Sequence, residues 1–456
     1  MNDTIAALAT PHGEGGISVI RISGEKALTV ATNLFHSASS ILPPPSQKVL
    51  FGEIRDPDSG QVIDEVLLTY FKKPNSYTGE HVVEISGHGG TLVSTTLLQL
   101  ILKQGARLAE PGEFTRRAFI HGRLDLTQAE AVADLIDAAS TKALNAAVSQ
   151  LKGGLSERIN KLFEQLLAVQ AQLEAAIDFS EEGLTFQSRE TTGRQIEDVK
   201  KEMLLLVQSF RQGKIIREGM RVTLVGKPNV GKSSLLNSLV QEDRAIVTDI
   251  PGTTRDTLEE RVRIKDIHIV VVDSAGLREN PEMIEEEGIR RTRLAIEQSD
   301  LALVLFDPSQ PIDCNDELLM NEVGDKLRCV LFNKSDLEQN WTKDSIKNFL
   351  QSEKPISLSA KTGNGLENLK EAIYNHAIQS ERTGESIAIT RERHRDHLQQ
   401  AADALSTASK SMNSGCSEEL IAVDVTLAME HLGSVLGKTF AEDLLDKIFG
   451  QFCIGK

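Results

Sequence analysis

The stretch GKPNVGKSS, from Gly226 to Ser234, follows the apolar run Arg221–Val225 without a gap. It fits G-x-x-x-x-G-K-[ST] and constrains the surrounding chain more than any other feature. Several backbone N–H groups must converge on a polyphosphate, so glycine is needed where the chain passes closest to it. Lys232 supplies a charge for the β- and γ-phosphates, and Ser233 a hydroxyl for Mg²⁺. Such a loop sits between the end of a strand and the start of a helix. Downstream, the runs IHIVVVD, LALVLFD, RCVLF and PISLS alternate with helical stretches, the pattern of parallel strands buried on both faces. Residues 219–378 are therefore expected to form one α/β nucleotide-binding domain.

The base is read from later motifs. NKSD (Asn333 to Asp336, with Lys334) and SAK (Ser359, Ala360, Lys361) each follow an apolar run. A carboxylate at 336 can accept from both N1–H and the 2-amino group of guanine, whereas adenine would leave it unpaired. The fold class expected here is a Ras-like P-loop G domain. Asn229, Val230, Gly231, Lys232, Ser233 and Ser234 would cradle the phosphates. Thr248, Asp249, Ile250, Pro251, Gly252, Thr253 and Thr254 form a candidate switch loop, with Thr254 as a second Mg²⁺ ligand. Asp273, Ser274, Ala275 and Gly276 make a D-x-x-G turn. The next residue is Leu277, which cannot orient the attacking water. That task passes to Arg278 or to one of the acidic residues 279, 282 and 285–287. Arg255 reads either as an internal arginine finger or as a salt-bridging switch residue.

The remainder divides around this domain. Residues 1–118 read as mixed α/β, with GISVIRIS and HVVEISGHGG as strands and TLVSTTLLQLILKQG as a helix. From Leu126 the apolar positions keep helical spacing, with a break expected at Gly153-Gly154 and capping boxes at Thr127/Glu130 and Thr439/Glu442. Segments 119–218 and 379–456 would be two parts of one helical domain, into which 219–378 is inserted. The net charge of −16 argues against a nonspecific nucleic-acid coat, and the cysteines at 314, 329, 416 and 453 show no C-x-x-C spacing. The N-terminus lacks a signal-peptide pattern and no apolar run is long enough for a membrane span, so a cytoplasmic, membrane-free protein is expected.

GKPNVGKSSLLN, TDIPGTTRD, NSYTGEHVVEISGHGG, PGEFTRRAFIHGRLDLTQAEAVADLI and the final FCIGK together resemble the MnmE (TrmE) family of tRNA-modification GTPases, over nearly the whole chain. The resemblance implies an N-terminal folate-binding domain that forms a homodimer, a helical domain and an inserted G domain. It implies a complex of heterotetramer type with the flavoprotein MnmG. Together they would convert carbon 5 of the wobble uridine in certain tRNAs to carry an aminomethyl-type (carboxymethylaminomethyl) group. The donor would be a tetrahydrofolate derivative, the 5-formyl or 5,10-methylene form. By motif match, Arg21, Glu84, Arg123 and Lys456 would contact the folate, and Cys453 would lie near the modification chemistry. The resemblance selects Glu285 as the catalytic carboxylate. It also places K⁺ on Asn229, Thr248, Ile250 and Thr253, where it would offset developing charge as an arginine finger does. Ser274 replaces the usual threonine of DTAG, and Arg123 a lysine of some members.

Other readings compete. His81, Glu84 and His88 could suggest a metal site, but 81 and 84 would point to opposite faces of a strand. The loop GKPNVGKSS is shared with ribosome-assembly GTPases of the Era and Der type. Those would carry an appended RNA-binding domain, where this chain has a helical segment ending in FCIGK.

Overall fold

The structure, a computed structural model, describes residues 3–37, 44–178, 188–242, 259–273, 285–350, 353–378, 388–440 and 442–456. Two compact units divide the chain. One comprises Met1–Ile136, Gln150–Val199 and Gln400–Lys456, and the other Asp137–Ser149 and Lys200–Gln399.

The first unit begins with β1 (Ile5–Leu8), β2 (Gly15–Ser23), α1 (Ala27–Thr32), β3 (Phe35–His36), β4 (Val49–Arg55), β5 (Val62–Phe71), β6 (Val82–Gly89), α2 (Thr91–Lys103) and β7 (Arg107–Leu108). The strands form a sheet of order β3-β4-β5-β6-β2-β1-β7. Only two of these runs were legible in advance. The short strands at its edges carry too few residues to show a period of two. Ile20, Ile22, Val66, Leu68, Val83 and Ile85 alternate onto one face, where Leu97, Leu100 and Ile101 of α2 cover them. Arg21, Glu84 and Thr69 lie side by side on the opposite face, in register across β2, β6 and β5.

The helices that follow are α3 (Glu113–Ile120), α4 (Leu126–Ile136), α5 (Thr141–Leu151), α6 (Gly154–Asp178) and α7 (Arg189–Glu218). The break at Gly153 is present, with φ +93°. A second break, after Ile136, was not foreseen. The Ser140 hydroxyl accepts from Ala143 N–H (3.1 Å) and starts a new helix there.

The capping box expected at Thr127/Glu130 needs correction. At α4, Asp125 accepts from Gln128 N–H (3.0 Å) while Gln128 Oε1 accepts from Asp125 N–H (3.0 Å). Thr127 already lies inside the helix, and its hydroxyl meets Asp125 Oδ1 (2.7 Å) and Ser156 Oγ (2.9 Å). A carboxylate one residue ahead of the helix outcompetes a hydroxyl within it. Near the C-terminus the Thr439 and Ser434 hydroxyls lie 3.1 Å apart, and the last helix is described from Glu442 onward.

The second unit holds β8 (Met220–Gly226), α8 (Lys232–Glu242), β9 (Glu259–Ile264), β10 (Ile267–Asp273), α9 (Glu285–Gln298), β11 (Leu301–Phe306), α10 (Cys314–Val323), β12 (Arg328–Phe332), α11 (Lys343–Leu350), β13 (Ile356–Ser357) and α12 (Leu366–Ile378). The sheet order is β13-β12-β11-β8-β10-β9. Its first five strands run parallel, as the continuous apolar runs required. Strand β9 is an antiparallel edge strand, missed because EERVRI is mostly charged. Burial of β8 and β11 is nearly complete, so their loops are presented at one carboxyl edge, where open α/β sheets bind ligands.

The chain closes with α13 (Glu392–Asn413), α14 (Glu418–Leu436) and α15 (Glu442–Phe449). Within the first unit, α14 packs on α4 and α6. Leu445, Phe449 and Phe452 pack on Phe119, Leu126 and Ala129, which fixes where the last residues lie.

Candidate functional site

The loop after β8 takes the conformation that a phosphate cradle requires. Asn229 and Gly231 have φ of +64° and +101°. A Cβ on Gly231 would lie 2.2 Å from Asn333 Nδ2, so glycine is needed for approach as well as for conformation. Lys232 Nζ donates to the carbonyls of Gly226 (2.7 Å) and Lys227 (2.8 Å), curled over the loop where a phosphate would draw it off. Ser233 and Ser234 are exposed at the first turn of α8.

Asn333, at the end of β12, ties the base-reading segment to this loop. Its Nδ2 donates to the Val230 carbonyl (2.7 Å), and its Oδ1 accepts from Ala360 N–H (3.0 Å). Ser359 Oγ donates to Asp336 Oδ1 (2.5 Å). That bond holds the exposed Asp336 carboxyl below its ordinary range, so it stands ionised as an acceptor. Lys334 has φ +58° and pairs with Asp307 (2.6 Å). Lys361 is exposed beside them. Three separated motifs thus meet at one sheet edge, with an acceptor-only group for the base and N–H groups for phosphate.

Asp273 ends β10, beside Leu224 of β8. Glu285 opens α9. Thr248, Asp249, Ile250, Pro251, Gly252, Thr253, Thr254, Ser274, Ala275 and Gly276 lie outside the described residues. Sequence reasoning overlooked Lys227, whose Nζ meets Asp313 and Asp316 at 2.9 Å each. Those two aspartates form the capping box of α10. The D-x-x-D spacing before an apolar stretch was a readable signal for it.

A second polar cluster lies on the open face of the N-terminal sheet. Arg21 Nε donates to Glu84 Oε1 (2.9 Å), and its guanidinium lies over the rings of Tyr77 (5.1 Å) and Phe114 (5.7 Å). Arg21 Nη1 also donates to the Gly455 carbonyl (3.3 Å), 434 residues away in sequence. The final residues are seated by Phe114 N–H on the Lys456 carbonyl (3.2 Å) and a bridge between Pro111 and Ile454. Gly455 has φ +96°, and a Cβ there would lie 2.3 Å from the Leu8 carbonyl. Arg123 passes beside Gly79, where an added Cβ would be 3.5 Å from its Cγ. Cys453 is exposed, while its carbonyl accepts from Lys456 N–H (3.3 Å). Arg21 thus joins the Glu84 carboxylate, two aromatic rings and the C-terminal residues in one polar cluster. Burial pushes the Tyr77 phenol up, so it stays neutral and can donate or accept.

Comparison with known proteins decides the family. The model of the MnmE helical domain matches residues 126–453, and the model described as the GTP-binding protein TrmE N-terminus matches residues 4–123. A tRNA modification GTPase MnmE of Acetivibrio thermocellus is 41% identical over 455 residues, covering 100% of this chain and 99% of that protein. The chain belongs to the MnmE family. Further MnmE proteins, from Natranaerobius thermophilus (42% over 455 residues, covering 100% of this chain and 99% of that one) and Syntrophus aciditrophicus (43% over 459 residues, covering 100% of both), align end to end. No helix among the described residues is long and apolar enough to cross a membrane.

Proposed function

We propose that this chain is a potassium-dependent GTPase that modifies carbon 5 of the wobble uridine of certain tRNAs. It would act with a flavoprotein partner of the MnmG type and a tetrahydrofolate one-carbon donor. As a member of the MnmE family the chain is a GTP hydrolase acting in tRNA modification, the activity for which its full-length relatives are named. GTP binding implies Mg²⁺, for which Ser233 and Thr254 are the proposed ligands. K⁺ would be held by Asn229, Thr248, Ile250 and Thr253, and Glu285 would orient the water. K⁺ would supply the positive charge that an arginine finger provides elsewhere, which leaves Arg255 dispensable in that role. Segment 1–118 would bind folate through Arg21, Glu84, Arg123 and Lys456 and join two copies. Segments 119–218 and 379–456 would form the helical domain around the G domain, 219–378.

The observation that supports this reading over a ribosome-assembly GTPase is the seat of FCIGK beside Arg21 and Glu84. An appended RNA-binding module would have no reason to return its last residues to an N-terminal sheet. The test is nucleoside analysis of tRNA from a strain lacking this chain, with and without complementation. Unmodified wobble uridine restored by the wild-type chain is expected. Normal tRNA with defective ribosomal subunits would overturn the reading.

A further inference from the structure

Lys227, the second residue of the phosphate loop, has no role in the reading above, yet it ties the loop to α10. Its Nζ donates to Asp313 Oδ2 and to Asp316 Oδ2, at 2.9 Å each. Both aspartates belong to the first turn of α10. Asp313 Oδ1 accepts from the N–H groups of Asn315 (2.9 Å) and Asp316 (3.2 Å), and Asp316 Oδ2 accepts from Asp313 N–H (3.0 Å). The Asp316 side chain is 2% exposed and that of Lys227 24%. Burial works against the Lys227 charge, but the bonds to Asp316 and Asp313 hold its ammonium above its ordinary value.

The Lys227 carbonyl accepts from Lys232 Nζ (2.8 Å), as the Gly226 carbonyl does (2.7 Å). One residue therefore meets α10 with its side chain and the phosphate-binding lysine with its backbone. Gly226 before it is pressed on β11, where a Cβ would lie 2.8 Å from the Leu305 carbonyl oxygen. The far side of the loop is held by Asn333 at the Val230 carbonyl (2.7 Å). Asn229, with φ +64°, lies between these two tethers. A left-handed residue other than glycine persists only where its surroundings fix it. The segment leading into α10 is also tied to the base-reading segment. Asp307 pairs with Lys334 (2.6 Å), and the Gln310 carbonyl accepts from Trp341 Nε1 (2.6 Å). Residues 307–316 thus brace the phosphate loop against the guanine-reading segment by a route that does not pass through Asn333.

We propose that Lys227 is a positioning residue for GTP, through which the first turn of α10 keeps the phosphate cradle formed before the nucleotide arrives. This rests on the GTP-binding reading of the loop, which hydrolysis by the wild-type chain tests on its own. A loop released from α10 would have to be ordered again at each binding event, and that ordering costs affinity. Once GTP is bound, its phosphates order the loop themselves. Lys227 therefore acts on binding rather than on the chemical step.

The test measures GTP and GDP affinity by fluorescent-nucleotide titration, with kcat and KM for GTP. The full-length chains are wild type, Lys227→Met, Lys227→Arg, Asp316→Asn and the double variant Lys227→Met/Asp316→Asn, each checked for folding by thermal unfolding. Lys227→Met should weaken both nucleotides and raise KM by about tenfold, while kcat changes by less than about twofold. Lys227→Arg, whose guanidinium can serve both carboxylates, should return affinity to within about threefold of wild type. Asp316→Asn keeps an oxygen for the Asp313 N–H but gives up one charged partner of Lys227, so it should weaken binding by a smaller factor. The double variant should bind no more weakly than Lys227→Met alone, because residues acting through one contact do not add. Wild-type affinity in a folded Lys227→Met chain overturns the proposal and leaves the GTP reading intact. A lower melting temperature with unchanged KM, the mark of a merely structural ion pair, also overturns it, as do single effects that multiply in the double variant. Should Lys227→Met not fold, Asp316→Asn decides by the same affinities.

Discussion

Asn333 and Val230 are 103 residues apart in sequence, yet the Asn333 side chain donates to the Val230 carbonyl at 2.7 Å and makes the base-reading segment and the phosphate loop one rigid site. Its second bond, from Ala360 N–H, draws in the segment after β13. Replacing Asn333 by alanine strands a buried N–H and a buried carbonyl, at about 1–3 kcal/mol. GTP affinity should fall by about 10- to 100-fold, as measured by fluorescent-nucleotide titration. Gly231→Ala should do at least as much, since its Cβ would collide with the same amide.

Asp336→Asn should weaken GTP binding sharply and admit xanthosine nucleotides. The amide presents a donor where the guanine 2-amino group needs an acceptor. Ser359 keeps the native carboxyl ionised and oriented. Competition titrations with GTP and xanthosine triphosphate measure the switch, and unchanged GTP affinity would contradict the assignment of Asp336.

Hydrolysis should run about tenfold or more faster in K⁺ than in Na⁺ at equal ionic strength, and Asn229→Ala should erase the difference. Glu285→Ala should lower kcat by about 100-fold or more and leave GTP binding nearly intact, since the interaction belongs to the transition state. Steady-state assays in the two salts decide both points. Equal rates would remove the ion from the mechanism, and a fully active Glu285→Ala chain would remove the carboxylate.

The seat of the C-terminal tail offers a test of the folate site. Gly455→Ala should unseat the tail from Leu8 and Arg21, weakening reduced-folate binding by about tenfold or more, as Glu84→Gln should also. Calorimetry with a reduced folate on the full-length chain reads the change. Wild-type affinity in both variants would move the folate elsewhere.

Arg117 is fully buried between Asp3 (2.8 Å), Glu80 (3.0 Å) and Glu113 (3.2 Å). Arg117→Met removes the buried guanidinium that Glu80 and Glu113 share, leaving Arg107 on Glu113, and should destabilise the chain by about 3 kcal/mol. Burial works against the Glu113 charge, yet bonds from Arg107, the Glu110 N–H and Arg117 bring its carboxyl below the ordinary value. Asp3 is lowered as well, chiefly by Arg107. Groups lowered on folding stabilise above the unfolded pKa of roughly 4 and lose that contribution as pH falls through their folded values. Urea unfolding between about pH 3 and 6 should therefore show a steeper acid loss in wild type than in Arg117→Met.

The sequence alone determined the nucleotide domain, because its chemistry is local and directional. A phosphate loop must join a strand to a helix, and the runs around Val222, Val271 and Val330 are apolar throughout, as parallel strands between helices must be. The guanine reading needed only Asp336 and the order of the motifs. Tertiary structure decided what depended on partners distant in sequence. Asp125 rather than Thr127 caps α4, because the outcome turned on where the helix began. Lys227 found its aspartates on α10. Arg21 met Gly455 because Phe449 and Phe452 pack on Phe119 and Leu126, and no periodicity in FCIGK could announce a contact made by the packing of another helix.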